Sequence, residues 1–227
     1  MRCAGSIAAA AAYPDEETEW AAEGTVAHKI LELCLKLGFD AADFHGTTHK
    51  QGKFEFTVDD EMVEFLQPII DEILDTPGQH FYENRVSLDA WLPDQFGTLD
   101  VGIIQVKRNR IIIRDLKYGK GLPVRAEDNA QLRIYAAGFW RYYAKQFFPK
   151  GAKPDFLIII DQPRNGGGGG EWLISYDELM DWMEDVADAG ERTYEKNAKR
   201  TPGDKQCSYC PARKDCKEFA EWNLDHW

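Results

Sequence analysis

The sequence predicts an α/β fold, a central mixed β-sheet flanked by helices, and three patterns predict it. Val101 to Val106 and Ile111 to Ile113 are β-branched runs on either side of Arg108-Asn109, the pattern of an antiparallel hairpin. Pro154 to Ile160 is a near-continuous apolar run that reads as a strand buried on both faces, preceded by a helix in βαβ style. Stretches with helical apolar spacing near 20–37, 60–74 and 126–147 supply the flanking layers. At 227 residues and 44% hydrophobic the chain can bury one large core with an appendage. Pro202-Gly203 marks the boundary, giving a main domain over 1–203 and a C-terminal Cys-rich module over 204–227.

The first helix places Val26, Ile30, Leu33, Cys34 and Leu37 on an apolar stripe, with His28, Glu32 and Leu35 on the other side, and Gly38 ends it. Taken alone, a helical histidine is a surface residue; His28 matters through its company. The connection through His45, His49 and Gly52 carries no ligand-like spacing. In the second helix Met62, Phe65, Leu66, Ile69 and Ile73 share a packing face, and Pro68 implies a kink. A strand over Phe81 to Leu88 follows, with Glu83 a reserve carboxylate beside its plainer reading as a strand-face charge. After the hairpin a helix from about Ala126 to Phe147 opens with acids in its first turn, as the helix dipole favours. Gln131 and Tyr135, four apart, share one face of it. Gly166 to Gly170 lacks the Lys-Ser or Lys-Thr ending of a phosphate-binding loop and reads as a connection to a strand at Glu171 to Ser175. Ser175 with Glu178 forms a capping box for a helix reaching about Asn197.

Chemistry concentrates between Gly97 and Lys117. With a tight turn at Arg108-Asn109, Lys107 faces Arg110, so Asp100 lies opposite Lys117 and diagonal to Asp115. Asp115 and Lys117 share a face by strand alternation. Two carboxylates held near each other repel unless a cation sits between them, and Mg²⁺ or Mn²⁺ suits such an oxygen pair. A lysine two residues on stabilises a phosphate or positions a water. The plain alternative is an edge hairpin with a solvated cross-strand ion pair.

The formal net charge of −12 excludes a wholly basic nucleic-acid coat. The charge is uneven: Val101 to Lys153 holds twelve Lys or Arg against three acids, a net +9, and the remainder is −21. This fits a local basic channel for a polyanion better than a membrane-surface role, although Arg141 and Lys145 read as a solvated helix face. No run approaches the roughly eighteen apolar residues of a membrane span. The Ala8 to Ala12 stretch is too short and weakly apolar for a secretory signal, so a cytoplasmic protein is expected.

In the tail, Cys207, Cys210 and Cys216 form a C-x2-C-x5-C cluster, which without secretory features favours metal over disulfides. A tetrahedral site needs a fourth ligand, and Cys3 and His226 are the candidates. Cys3 would make a Cys₄ site suited to a [4Fe–4S] cluster or zinc; His226 would make a Cys₃His zinc site. Cys34 lies on an apolar stripe and reads as a core cysteine.

The ordered set Gly24-Thr25-Val26-Ala27-His28, Gly97-Thr98-Leu99-Asp100, Asp115-Leu116-Lys117 and Gln131-Leu132-Arg133-Ile134-Tyr135 resembles the PD-(D/E)xK nuclease superfamily in its RecB-like branch. The cysteine arrangement resembles that branch's iron–sulfur members, which include CRISPR-adaptation nucleases and phage-type exonucleases. The resemblance implies a restriction-endonuclease-like core, with the C-terminal module closing on the N-terminus through Cys3. It implies Mg²⁺ or Mn²⁺ bound by His28, Asp100, Asp115 and the main-chain carbonyl of Leu116, with Lys117 orienting the attacking water. Gln131 and Tyr135 would hold DNA near the scissile phosphate. Cys3, Cys207, Cys210 and Cys216 would carry a structural [4Fe–4S] cluster. The superfamily often has Glu where Asp115 stands. The implied activity is exonucleolytic hydrolysis at DNA ends in phage-type recombination or repair, beside an annealing protein or a helicase, in the host cytoplasm if phage-encoded. The competing readings are a non-cleaving DNA-binding scaffold and a zinc-stapled interaction domain.

Overall fold

A computed structural model of the chain describes residues 3–14 and 17–226. In chain order its elements are α1 (Ser6–Ala10), α2 (Glu19–Leu37), β1 (Thr48–Gln51), β2 (Phe54–Thr57), α3 (Asp60–Asp75), β3 (Gln79–Ser87), β4 (Phe96–Gln105) and β5 (Arg110–Leu116). There follow α4 (Ala130–Tyr142), β6 (Asp155–Asp161), β7 (Gly170–Ile174), α5 (Tyr176–Glu191), α6 (Asp204–Cys207) and α7 (Lys217–His226). Contacts divide the chain into two units. One holds Glu17–Asp89 and Asp94–Met180; the other holds the described residues of Met1–Glu16, Ala90–Pro93 and Asp181–Trp227. The division falls inside α5, ahead of the boundary read at Pro202-Gly203.

The larger unit is built on a five-stranded mixed sheet, ordered β3-β4-β5-β6-β7. β3, β4 and β5 run antiparallel in succession, β6 returns parallel to β5 after α4, and β7 closes the sheet antiparallel to β6. The parallel step is the crossover implied by the apolar 154–160 run, and β5 is buried from Ile111 to Leu116 because helices cover it. On one face Val26, Ile30, Leu66 and Ile70 of α2 and α3 pack with Val101, Ile103, Ile112 and Leu116. On the other, α4 lies against β3, β4 and β5. A Cβ on Gly102 would stand 2.7 Å from Phe139 Cζ, so glycine lets the α4 ring reach the strand.

α2 begins where Thr18 Oγ1 accepts a hydrogen bond from Ala21 N (3.2 Å) and ends on Gly38 in the left-handed region, φ 74°. Its buried stripe is wider than the heptad-like spacing implies. Leu35, expected on the polar side, is buried, and Leu37 is exposed. The reason is a second layer: α2 also packs on β1, β2 and the turn Ala41–Phe44, where the sequence shows only a connection. α3 continues through Pro68, which sits on its exposed side. α4 starts at Ala130, not Ala126, because Asn129 caps it by accepting from Leu132 N at 3.0 Å; Glu127 and Asp128 therefore precede the helix. It ends at Tyr142, before a 3-10 turn over Ala144–Phe147, and α5 ends at Glu191, short of Asn197.

In the smaller unit α1 packs near the turn Pro211–Asp215, Gly5 N donates to Lys199 O (2.9 Å) and Tyr13 OH donates to Asp215 Oδ2 (2.5 Å). Among the described residues no helix is long and apolar enough to cross a membrane.

Candidate functional site

The central hairpin forms with a register shifted from the expected one. Gln105, not Lys107, pairs with Arg110, because Val106–Arg108 make a 3-10 turn and Asn109 takes a left-handed conformation, φ 48°. The loop is anchored from outside: Asn109 Nδ2 donates to Lys153 O (2.8 Å) and Asn109 O accepts from Asp155 N (3.0 Å). The last pair of that register is Val101 with Arg114, which puts Asp100 level with Asp115 rather than with Lys117. A slip of two residues, unlike a slip of one, leaves every side chain on its own face.

Asp100 is the hub. Its Oδ2 accepts from Leu116 N at 2.9 Å and stands 3.1 Å from His28 Nδ1. Glu83 joins them: one ligand atom from each of His28, Glu83 and Asp100 lies within 4.8 Å of the other two. Glu83 is on β3 in a left-handed backbone conformation, φ 51°, unusual for a non-glycine residue inside a strand. Burial first, then the charge of Asp100, pushes the Glu83 carboxyl up to about 7 against the opposing pull of His28. For His28 burial opposes the charged imidazolium, but the Asp100 hydrogen bond and the surrounding carboxylates outweigh it and raise its pKa.

Asp115 stands outside that set, on the face of β5 that meets α4. It is 3% exposed, and burial followed by the charge of Asp100 raises its pKa to about 6, with Lys117 pulling the other way. Lys117 Nζ is 2.7 Å from Asp115 Oδ2, a charge contact without hydrogen-bond alignment. The same ammonium donates to Gln131 Oε1 (3.2 Å), and Gln131 Nε2 donates to Tyr135 OH (3.3 Å). A continuous polar line thus runs from β5 to the first turns of α4. Gly97 permits it, since a Cβ there would overlap the Tyr135 ring.

A cleft of about 340 Å³ opens beside these groups, with His28, Leu116 and Lys117 in its wall. Much of the basic window between Val101 and Lys153 is neutralised within the unit. Arg114 is buried and donates to Asp161 (2.5 and 2.8 Å) and Glu72 (2.8 Å), Lys120 lies 3.1 Å from Glu61, and Arg133 pairs with Asp128. Arg141 and Lys145 are exposed, as a solvated helix face requires. His45 contacts Asp60 (3.1 Å) and His49 contacts Thr47 (2.9 Å).

In the smaller unit Cys3, Cys207, Cys210 and Cys216 line a single small cavity of about 20 Å³. All are free thiols, Cys207 is buried, and Thr201 N donates to Cys3 Sγ at 3.3 Å. Among the described residues no three of these sulfurs come within 4.8 Å of one another. His226, the other candidate ligand, is stacked on Trp222 and within 2.8 Å of its carbonyl oxygen. Cys34 is a core cysteine, its thiol pushed up to about 11 by burial.

Residues 1–226 match the model of a family described as a protein of unknown function, DUF2800. The chain belongs to that family. This DUF2800 member is also similar to the crystal structure of SSO0001, with 14% identity and a TM-score of 0.31 over 66% of this chain and 64% of that one. It therefore spans under two thirds of the solved chain's length.

Of the site residues expected from sequence, the larger unit of this DUF2800 member brings His28 to Asp100 and links Asp115, Lys117, Gln131 and Tyr135. Glu83, a reserve carboxylate by its sequence, lies with His28 and Asp100. Its partnership depends on a local backbone turn that no glycine announces. Gln162, which holds the loop after Lys117 through Val124 N (2.7 Å) and Leu122 O (3.1 Å), carried no sequence signal at all.

Proposed function

We propose that the chain is a Mg²⁺- or Mn²⁺-dependent deoxyribonuclease of the PD-(D/E)xK type, RecB-like branch, hydrolysing phosphodiesters at DNA ends in recombination or repair. The observation that carries this reading is the polar line Asp115–Lys117–Gln131–Tyr135 set beside His28 and Asp100. The donor set suits a hard divalent cation: His28, Glu83 and Asp100 offer one imidazole nitrogen and two carboxylates within 4.8 Å of one another, and the family resemblance adds Asp115 and the carbonyl of Leu116. Burial first, then the charge of Asp100, raises the pKa values of Asp115 and Glu83, and a cation held beside them would offset that charge. When bound, that cation supplies Lewis acidity and neutralises charge at the scissile phosphate.

The chain's own side chains do the rest. Lys117, held between Asp115 and Gln131, orients the attacking water and offsets negative charge as it grows on the phosphate oxygens. Gln131 and Tyr135 present an amide and a phenol to the phosphate and keep the strand in register for in-line attack. Asp100 fixes His28 and, through Leu116 N, the strand end that carries Asp115 and Lys117.

The same reading assigns Cys3, Cys207, Cys210 and Cys216 to a structural [4Fe–4S] cluster: all four line one cavity, which at about 20 Å³ would have to open to take it. A broad absorbance near roughly 400 nm in anaerobically purified protein identifies iron–sulfur; zinc, a filled-shell ion, gives none. An annealing protein or a helicase in the cytoplasm is the partner the activity calls for. Digestion of end-labelled linear and circular DNA with Mg²⁺ tests the function. Linear DNA is shortened from its ends, circles persist, and chelation stops the reaction. Asp115→Ala or Lys117→Ala protein that degrades linear DNA at the wild-type rate contradicts the site.

A further inference from the structure

The positive charge between Val101 and Lys153 is neutralised unevenly. Beyond the end of β5, Lys117 meets Asp115, Lys120 meets Glu61 and Arg133 meets Asp128. The stretch from Arg141 to Lys153 leads instead to the other end of the sheet, where Asp155 pairs with Arg110, about 16 Å along β5 from Asp115. It holds four cations and no acid. Lys153 contacts Asp177 (2.5 Å), but the exposed Lys145 and Lys150 form no ion pair among the described residues.

A cavity of about 580 Å³ opens beside these lysines, lined by Lys145, Lys150, Trp140, Phe148, Pro149 and Tyr176 among others. Trp140 and Phe148 are 4% and 7% exposed and meet edge to face at 5.4 Å; Trp140 and Tyr176 do so at 5.8 Å. Gln146, also in the wall, already donates to Tyr143 O (3.0 Å). The indole N–H of Trp140 is different. It meets no oxygen or nitrogen acceptor among the described residues, although a tryptophan this deeply buried ordinarily finds one. Nor is that nitrogen sealed in the interior, so an occupant of the cavity can reach it.

Three demands therefore meet at one place: an acceptor for Trp140, an apolar group for the aromatic wall, and negative charge for Lys145 and Lys150. A peptide carries all three at fixed spacing, as a main-chain carbonyl, the side chain beside it and acidic neighbours on either side. Nucleic acid fits less well, because the recessed rings of Trp140 and Phe148 leave no open face for a base to stack on. A chain of net charge −12 repels an acidic partner over most of its surface, so an isolated basic patch orients the encounter.

We infer that this cavity docks an acidic segment of a partner protein. One apolar side chain of that segment sits against Trp140 and Phe148, a main-chain carbonyl accepts from Trp140 Nε1, and carboxylates lie beside Lys145 and Lys150. The inference goes beyond the nuclease reading and does not depend on it, since none of these residues belongs to the candidate site.

The test is fluorescence anisotropy of three labelled octapeptides, acidic throughout except for a central leucine, phenylalanine or tryptophan, with the full chain in EDTA at low salt. At least one binds with a dissociation constant at or below about 10⁻⁴ M and weakens as salt rises, and alanine at its centre weakens it at least about tenfold. Lys145→Glu combined with Lys150→Glu, both at exposed positions, weakens it about tenfold or more at an unchanged melting temperature. Trp140→Phe, which keeps a ring and removes the N–H, weakens it at least about threefold; should that variant fail to fold, the lysine variant decides alone. Failure of all three peptides to bind, indifference to the central residue, or a folded variant that binds like wild type overturns the proposal. So does a labelled oligothymidylate octamer that binds as tightly and displaces the peptide, because the patch is then a nucleic-acid surface. Loss of cleavage with peptide binding intact sinks the nuclease alone, and cleavage without peptide binding sinks the docking site alone.

Discussion

Arg114 and Asp115 are neighbours on β5, both about 3% exposed, and they face opposite layers of the same sheet. On the α3 side Arg114 is fully matched: a fork of hydrogen bonds to Asp161 and a third to Glu72 raise its pKa despite burial. On the α4 side Asp115 is buried with Asp100 near it, and burial first, then the charge of Asp100, raises its pKa against the pull of Lys117 and His28. The contrast lies in the hydrogen bonds: Arg114 makes three, whereas the buried Asp115 Oδ2 accepts none. A structural ion pair is complete in the folded chain, whereas a binding site is left electrostatically unfinished.

Substitutions on the two faces sharpen that contrast. Asp115→Ala is expected to lower Mg²⁺-dependent cleavage of labelled linear DNA by about 10³-fold or more, without lowering the melting temperature of metal-free protein. Arg114→Ala behaves in the reverse manner. By stranding Asp161 in the interior it costs about 3–5 kcal/mol in urea denaturation, and a loss under about 1 kcal/mol would break the comparison. Gly97→Ala drives a methyl into the Tyr135 ring, with an expected cost of about 1–3 kcal/mol and slower cleavage, since Tyr135 must leave Gln131.

The smallest effect concerns pH. Because the folded-state pKa of Asp115 is raised to about 6, the stability associated with its protonated form is complete below the ordinary carboxylate pKa and is lost as pH rises through about 6. Metal-free Asp115→Asn should therefore be more stable than wild type by about 1–2 kcal/mol at pH 8, with the gap closing toward pH 4. Equal stability at both pH values would mean that burial and the charge of Asp100 do not raise the Asp115 pKa.

The hairpin and the βαβ crossover were legible because β-branched runs and a doubly buried strand leave local marks. The register was not. Val106 looks like strand but belongs to the turn, and the left-handed Asn109 takes its anchor from Lys153 and Asp155, far along the chain. A shift of two preserves sidedness, but Gly97 and Gly102 both meet α4, so the alternation breaks between them, around Asp100. Leu35 was misplaced because helical periodicity shows one buried face, while α2 is covered by β1 and β2 as well as by the sheet. Glu83 needed a backbone turn that its own residue type does not advertise. The cysteine spacing was plain, but the role of Cys3 came from resemblance, and its place in the cavity with the other three required the folded chain.

Calorimetric titration of Mn²⁺ into the metal-free protein tests the central claim most directly. Wild type should bind the ion with a dissociation constant at or below about 10⁻⁴ M, and Asp115→Asn should bind at least about tenfold more weakly. Absence of binding, or an affinity that Asp115→Asn leaves unchanged, would contradict the account.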